Sequence, residues 1–222
     1  ISTGDIVDRG PDSMGCLSLL QEPWFHAVAG NHEQSLLAML RLARHSQHRN
    51  VDRSITIDGI CSISAARRMG DQWIPDMLAQ SNDWSMIFSY IDIVDQLPHI
   101  LVIEEGENSR VNVVHAELLA AGLKSDAMID ATESLSAELL DRLTWSRSLC
   151  DEMLAMGHCA PAEDHQELSL TICGHNVVTT PTVWKQHLFI DTGCGFKGEH
   201  WMGLSGISLM SAEHFFVATG SR

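Results

Sequence analysis

Ile1-Ser2-Thr3-Gly4-Asp5-Ile6-Val7-Asp8-Arg9-Gly10 opens the chain. It reads as the end of a buried strand running into a loop of charged residues. The same grammar, an apolar run and then a metal-competent or phosphate-competent side chain, returns at Gly30-Asn31-His32-Glu33, His115-Ala116-Glu117 and Gly174-His175-Asn176. Ligands carried at strand ends converge on one edge of an open α/β sheet, and glycines let backbone approach closely. Segments distant in sequence are therefore expected to serve one site.

Working outward, Met14, Leu17 and Leu20 have helical spacing within Ser13 to Gln21, and Trp24 to Ala29 reads as a short strand. A helix is expected from about Glu33 to Arg44, with Leu36, Leu37 and Leu40 facing inward. Strand, loop and helix in repetition imply parallel pairing. From about 45 to 97 the pattern weakens and becomes richer in helix formers, with Trp73, Met77, Trp84 and Ile87 as expected anchors of a helical insertion or cap. Ile100 to Ile103 and Val111 to Val114 are expected strands across a turn, the second ending at His115. A helix is expected near Ser134 to Leu143, and strands at Leu168 to Cys173, Val183 to Ile190, Leu204 to Met210 and Phe215 to Thr219. The expected fold is α/β, with two mixed sheets packed face to face, helices outside, and the N-terminal strand that should precede Ile1 missing. No linker divides it, so residues 1–222 are read as a single domain.

Composition removes several classes. Hydrophobic residues make up 45% and charged residues 19% of the 222-residue chain, a globular balance that argues against disorder. A formal charge of −15 argues against a nucleic-acid surface, which draws its affinity from lysine and arginine. No apolar run approaches the ~20 residues of a membrane helix, and the opening residues do not read as a positively charged signal peptide. The expected location is cytoplasmic, with no membrane partner. The six cysteines, Cys16, Cys61, Cys150, Cys159, Cys173 and Cys194, contain no C-x-x-C pair and are expected to be free thiols.

Together the four segments resemble the phosphoprotein phosphatase family of metallophosphatases, whose pattern runs G-D-x-H-G, G-D-x-V-D-R-G, G-N-H-E and then two single-histidine motifs. Pro23-Trp24-Phe25-His26-Ala27-Val28 before Gly-Asn-His-Glu resembles its small bacterial and phage branch. The resemblance implies that Asp5 bridges two divalent metal ions, and that Asn31, His115 and His175 complete the shell of one. Carboxylate, amide and imidazole donors match manganese first, with iron or zinc as alternatives. Two such cations can activate water near neutral pH for direct attack on phosphorus. Arg9, and Arg147 within Thr144-Trp145-Ser146-Arg147, would hold the phosphoryl group through guanidinium forks. His32 would protonate the leaving alkoxide, with Asp8 on its other nitrogen.

The first family motif has no counterpart, since Gly70-Asp71 and Gly157-His158 lack its strand context. Truncation is the expected reason. Taken singly, the segments have plainer readings: Asn31 as a helix cap with Glu33 at the positive helix end, Asp5 and Asp8 in a tight turn, His115 and His175 as satisfied structural histidines, and Arg147 packed along Trp145. Asp191-Thr192-Gly193 is read as a turn. The joint order of the segments favours function. The expected activity is phosphomonoester hydrolysis on phosphorylated serine, threonine or tyrosine of a protein or peptide. The alternatives are a symmetrical diadenosine tetraphosphate hydrolase and a catalytically impaired phosphate-binding module.

Overall fold

The computed structural model describes residues 1–104, 106, 109–157, 165–196, 203–211 and 213–218. The chain divides into two units, Ile1–Pro98 and His99–Arg222, each built around its own apolar cluster.

The first unit is helical. Asp12 caps α1 (Ser13–Leu19), accepting a 2.7 Å bond from the Gly15 N–H. The next helix, α2 (Asn31–His48), starts at Gly30 and not at an Asn31 cap, so Asn31 is its first turn. Leu36, Met39, Leu40 and Ala43 lie at helical spacing on α2 and are all buried; Met39 goes deeper than Leu37, the residue the sequence pointed inward. Helices α3 (Arg53–Arg67), α4 (Trp73–Gln80) and α5 (Ser85–Asp95) occupy the 45–97 region. They supply Ile60, Ile74, Leu78, Ile91 and Val94 to the same cluster, joined by Trp84 at the N-cap of α5. The strand expected over Trp24 to Ala29 reduces to one parallel bridge between Ser2 and Ala27, with the Ser2 N–H donating to His26 O at 2.8 Å.

The second unit holds β1 (Ile100–Glu104), β2 (Arg110–Val114), β3 (Leu170–Cys173), β4 (Thr182–Trp184) and β5 (His187–Phe189) in one sheet of order β1-β2-β3-β5-β4. The centre, β2-β3-β5, is parallel, and the edges pair antiparallel, which makes the sheet mixed. A single strand was expected over Val183 to Ile190, but Lys185 and Gln186 take φ of 45° and 65° and fold it into a hairpin. Both central residues at positive φ define a two-residue hairpin turn that normally advertises itself through Asn or Gly, and Lys-Gln carries no such signal. A separate antiparallel pair, β6 (Gly203–Ile207) and β7 (His214–Ala218), forms the other sheet. Helices α6 (Asp126–Asp130), α7 (Ala137–Trp145) and α8 (Ser148–Ala155) complete the unit, and Leu143 and Met153 are fully buried with Val114, Cys173, Trp184 and Phe189.

Cys16, Cys61, Cys150 and Cys173 are free thiols, and burial raises the pKa of Cys150 and Cys173. Cys159, His158 and Thr219 lie outside the described residues. No helix among the described residues is long and apolar enough to cross a membrane.

Register in the sheet aligns Val114, Cys173 and Phe189 at the carboxyl ends of the parallel strands. His115, Gly174-His175 and Asp191 therefore emerge along one edge, where α/β sheets carry their sites. His187, fully buried on β5, supports this edge: its Nε2 accepts the Leu118 N–H at 3.0 Å and its Nδ1 donates to Lys185 O at 3.0 Å. Burial lowers its pKa to about 4, against the partial opposition of the Lys185 carbonyl. A buried neutral histidine must take up a proton to unfold the unit in acid. Stability should thus be complete above the unfolded value near 6.5 and fall as pH drops towards about 4. Urea midpoints measured across that window should decline steeply in the wild type, by up to about 3 kcal/mol, and more shallowly in His187→Gln.

Candidate metal and phosphate site

In the first unit, α2 and the Gly4–Gly10 loop build the site together. The Glu33 carboxylate is fully buried and accepts three backbone N–H groups, from Gly30 at 2.9 Å, Asp5 at 2.8 Å and Ile6 at 2.9 Å. This pins the loop to the helix start, where the exposed N–H groups favour negative charge. Asp5 lies there as well, its Oδ1 accepting the His32 N–H at 3.2 Å. A Cβ on Gly30 would stand 2.3 Å from Asp5 Oδ1 and 2.7 Å from Asp5 N, so only glycine permits the approach.

Beyond Asp5 the loop turns sharply. Asp5, Asp8 and Arg9 have φ of 54°, 72° and 58°, a region uncommon for residues with a Cβ. The Gly10 N–H donates to Asp8 O at 2.5 Å, closing a γ-turn around Arg9. The Ser13 hydroxyl accepts the Asp8 N–H at 3.0 Å. These bonds carry the Asp8 side chain into the unit, where Oδ2 lies 2.5 Å from His32 Nδ1 and Oδ1 accepts the Trp73 indole N–H at 2.6 Å. The side chains of His32 and Asp8 are 2% and 1% exposed, so this is a fully desolvated ion pair when His32 is protonated. Burial lowers the His32 pKa, but the Asp8 hydrogen bond and the charges of Asp5 and Asp8 outweigh it despite Arg9, and the net pKa is raised.

In the second unit His115 and His175 leave β2 and β3 and meet edge to face, ring centroids 5.0 Å apart. Both are buried. His175 has φ of 60°, and the Asn176 N–H donates to Gly174 O at 2.5 Å, a second γ-turn around a candidate residue. Strain of this kind persists where the surroundings over-determine it, and it concentrates at functional sites. Trp145 lies edge-on to His175 at 6.1 Å.

Arg147 is oriented by the same loop. Its Nη1 donates to Asn176 Oδ1 at 3.1 Å and to His175 O at 3.4 Å. Asn176 in turn donates through Nδ2 to Glu117 Oε1 at 3.1 Å and to Ser146 O at 3.0 Å. Glu117, fully buried, also accepts the N–H groups of Leu149 and Cys150 at 3.1 Å and the Ser146 hydroxyl at 2.7 Å. A buried carboxylate at the start of α8 is thus satisfied by helix N–H groups and hydroxyls.

Within the first unit Asp5, Asp8, Asn31 and His32 gather at the α2 N-terminus, with Arg9 exposed on the adjoining turn. Within the second, His115, His175 and Arg147 gather at the sheet edge. The carboxylate and amide donors of the first unit and the imidazoles of the second are each of a type suited to borderline divalent cations. Trp73 read only as an apolar anchor, and Glu117 and Asn176 had no assigned role in the sequence reading. Glu117 and Asn176 stood in the right motifs, but which atoms they bond depends on α7 and α8, which arrive from elsewhere in the chain.

Two outcomes follow from this geometry. In metal-free protein the imidazole of His32, followed by NMR, should titrate above its ordinary value, and Asp8→Asn should lower it. The raised value means that the Asp8–His32 pair stabilises the fold fully below pH ~6.5 and loses that contribution as pH rises through the folded pKa. Glu117→Ala strands the N–H groups of Leu149 and Cys150 and the Asn176 amide. It should cost about 2–4 kcal/mol in denaturant unfolding.

Comparison with known proteins identifies relatives of the chain. The family profile described as Calcineurin-like phosphoesterase matches residues 1–179. The chain is 65% identical to Serine/threonine-protein phosphatase 1 of Salmonella typhimurium over 37 residues, an alignment spanning 17% of each chain. It is 33% identical over 204 residues to Serine/threonine-protein phosphatase 2 of Escherichia coli K12, covering 89% of this chain and 75% of that one. Against Serine/threonine-protein phosphatase 2 of Salmonella typhimurium it is 27% identical over 200 residues, with the same coverage. A crystal structure assigned as a diadenosine tetraphosphatase superposes with a TM-score of 0.54 at 19% identity, over 97% of this chain and 78% of that chain, a likeness of fold. With its α/β architecture, its mixed sheet and a profile match over most of its length, the chain belongs to the calcineurin-like phosphoesterase family.

Proposed function

We propose that the protein is a metal-dependent phosphomonoester hydrolase acting on phosphorylated serine or threonine, with phosphotyrosine also accepted, in a protein or peptide. The observation that carries this reading is the buried Asp8–His32 pair at 2.5 Å. An imidazole held in one orientation by a carboxylate on Nδ1 leaves Nε2 as a positioned proton donor, and an alkoxide leaving group needs a proton. The names of the relatives that align over most of the chain support the same substrate class.

Members of this family use divalent metals. We assign Asp5, Asn31, His115 and His175 as ligands of two divalent ions, manganese first, with iron or zinc as alternatives. Bound cations supply Lewis-acid stabilisation of the phosphoryl oxygens and an acidified water. Arg9 and Arg147 bind phosphoryl oxygens, and Asn176 holds Arg147 for that task. His32 donates its Nε2 proton to the departing oxygen while Asp8 keeps the ring in place. We further propose a cytoplasmic enzyme without nucleic-acid or membrane partners, a reading that the formal charge of −15 supports for nucleic acid.

A second reading, a symmetrical diadenosine tetraphosphate hydrolase, draws on the fold likeness alone. With manganese supplied, phosphopeptide should be turned over in clear preference to diadenosine tetraphosphate, and the reverse order would select the second reading. A module that only binds phosphate would leave p-nitrophenyl phosphate intact. Asp5→Asn and His175→Ala should each lower turnover by roughly 100-fold or more, since each removes a metal donor. Near-normal rates in either variant would refute the ligand assignment.

A further inference from the structure

The helical region between α2 and β1 contributes more than core packing. Its Trp73, the first residue of α4, donates its indole N–H to Asp8 Oδ1 at 2.6 Å, while Asp8 Oδ2 faces His32 Nδ1 at 2.5 Å. Each carboxylate oxygen thus has its own partner, and the carboxylate plane cannot turn without breaking one of the two bonds. A bond from a neutral N–H to a buried carboxylate is charge-assisted, short and strongly directional. A carboxylate with only one of these partners would keep its attraction for the imidazole but lose its fixed angle.

The same segment grips the neighbouring residue. The Arg9 N–H donates to Gly70 O at 3.4 Å. Gly70 itself has φ of 85°, and a Cβ there would lie 2.7 Å from Arg9 Cγ and 3.1 Å from Arg9 N, so the two backbones are in close apposition. Between these contacts, buried Asp71 accepts the Ser64 hydroxyl at 2.5 Å, and its carbonyl accepts the Ile74 N–H at 3.0 Å, tying the segment to α3 and α4. Trp73 packs its ring against the apolar cluster of the first unit. Residues 70–73 therefore hold the Asp8-Arg9 turn, two consecutive residues at positive φ, through contacts additional to the chain's own γ-turn bond.

We propose that Trp73 is a positioning residue for proton transfer to the leaving group: it acts through Asp8 to fix the angle at which His32 presents Nε2. This rests on the phosphomonoesterase reading given above. The helical region then belongs to the catalytic assembly as a clamp, and neither a mobile cover nor a spacer describes it.

The test separates proton donation from general damage. Departure of p-nitrophenolate needs little protonation, whereas departure of a serine alkoxide depends on it. Trp73→Phe keeps the ring and removes the donor. In manganese-loaded protein it should lower kcat on a phosphoserine peptide by about tenfold or more, with KM nearly unchanged. Its kcat on p-nitrophenyl phosphate should stay within about threefold. In Asp8→Asn background the added Trp73→Phe change should have little further effect, because both act on one link. In metal-free protein, the indole N–H resonance lost in Trp73→Phe should lie downfield in the wild type and move upfield in Asp8→Asn. Equal losses on both esters, an effect confined to KM, or an indole resonance indifferent to Asp8→Asn would each overturn the proposal. Wild-type protein that turned over neither ester would instead sink the phosphatase reading, and this one with it.

Discussion

In each unit a buried carboxylate, its oxygens taken up by backbone N–H groups, anchors the loop that carries the candidate residues. Glu33 binds the N–H groups of Gly30, Asp5 and Ile6, and Glu117 binds those of Leu149 and Cys150 together with the Ser146 hydroxyl and the Asn176 amide. Both are fully buried. A carboxylate withdrawn from water is costly unless its lone pairs are occupied, so each can exist only with its loop in place. That reciprocity lets short loops, which have little apolar surface of their own, hold fixed shapes at the end of a helix or a sheet.

Fixed loops are needed because the site-forming turns are not low-energy ones. Arg9 and His175 each sit at the centre of a γ-turn with positive φ, and Asp5 and Asp8 share the left-handed region. Such residues cost of order 1–3 kcal/mol each when poorly suited to it, and the surrounding bonds must outweigh that. The return is direction. Successive side chains leave a tight left-handed turn at angles that a strand or helix cannot offer, which is how Asp8 points inward to His32 while Arg9, its neighbour, stays exposed.

The electrostatics follow from the same arrangement. Asp8 and His32 are buried together, so the pair is strongly coupled and scarcely screened by solvent. His187, equally buried, has the opposite fate because desolvation lowers its pKa and only the Lys185 carbonyl, with no carboxylate bonded to the ring, opposes it. One is held charged more readily than in water, the other less. Histidine as a residue type said nothing about which would be which; neighbours brought by other elements decided it.

Much of this was legible in the residues alone. Apolar periodicity placed α1, α2, β2, β3 and β7 close to where they lie, and the motif letters singled out Asp5, Asp8, Asn31, His32, His115 and His175, because strand ends and helix starts are local features written by local patterning. The expected strand at Trp24 to Ala29 and the unbroken strand at Val183 to Ile190 went astray where pairing partners and a turn without glycine or asparagine prevailed over propensity. What only the tertiary structure decided is which polar atoms satisfy which. Trp73 read as an apolar anchor, and Glu117 and Asn176 as letters beside a histidine, since a hydrogen bond between residues as far apart in the chain as Trp73 and Asp8 leaves no period to detect. Burial patterns are carried by the sequence one element at a time, whereas the satisfaction of buried polar groups is a property of elements already packed together.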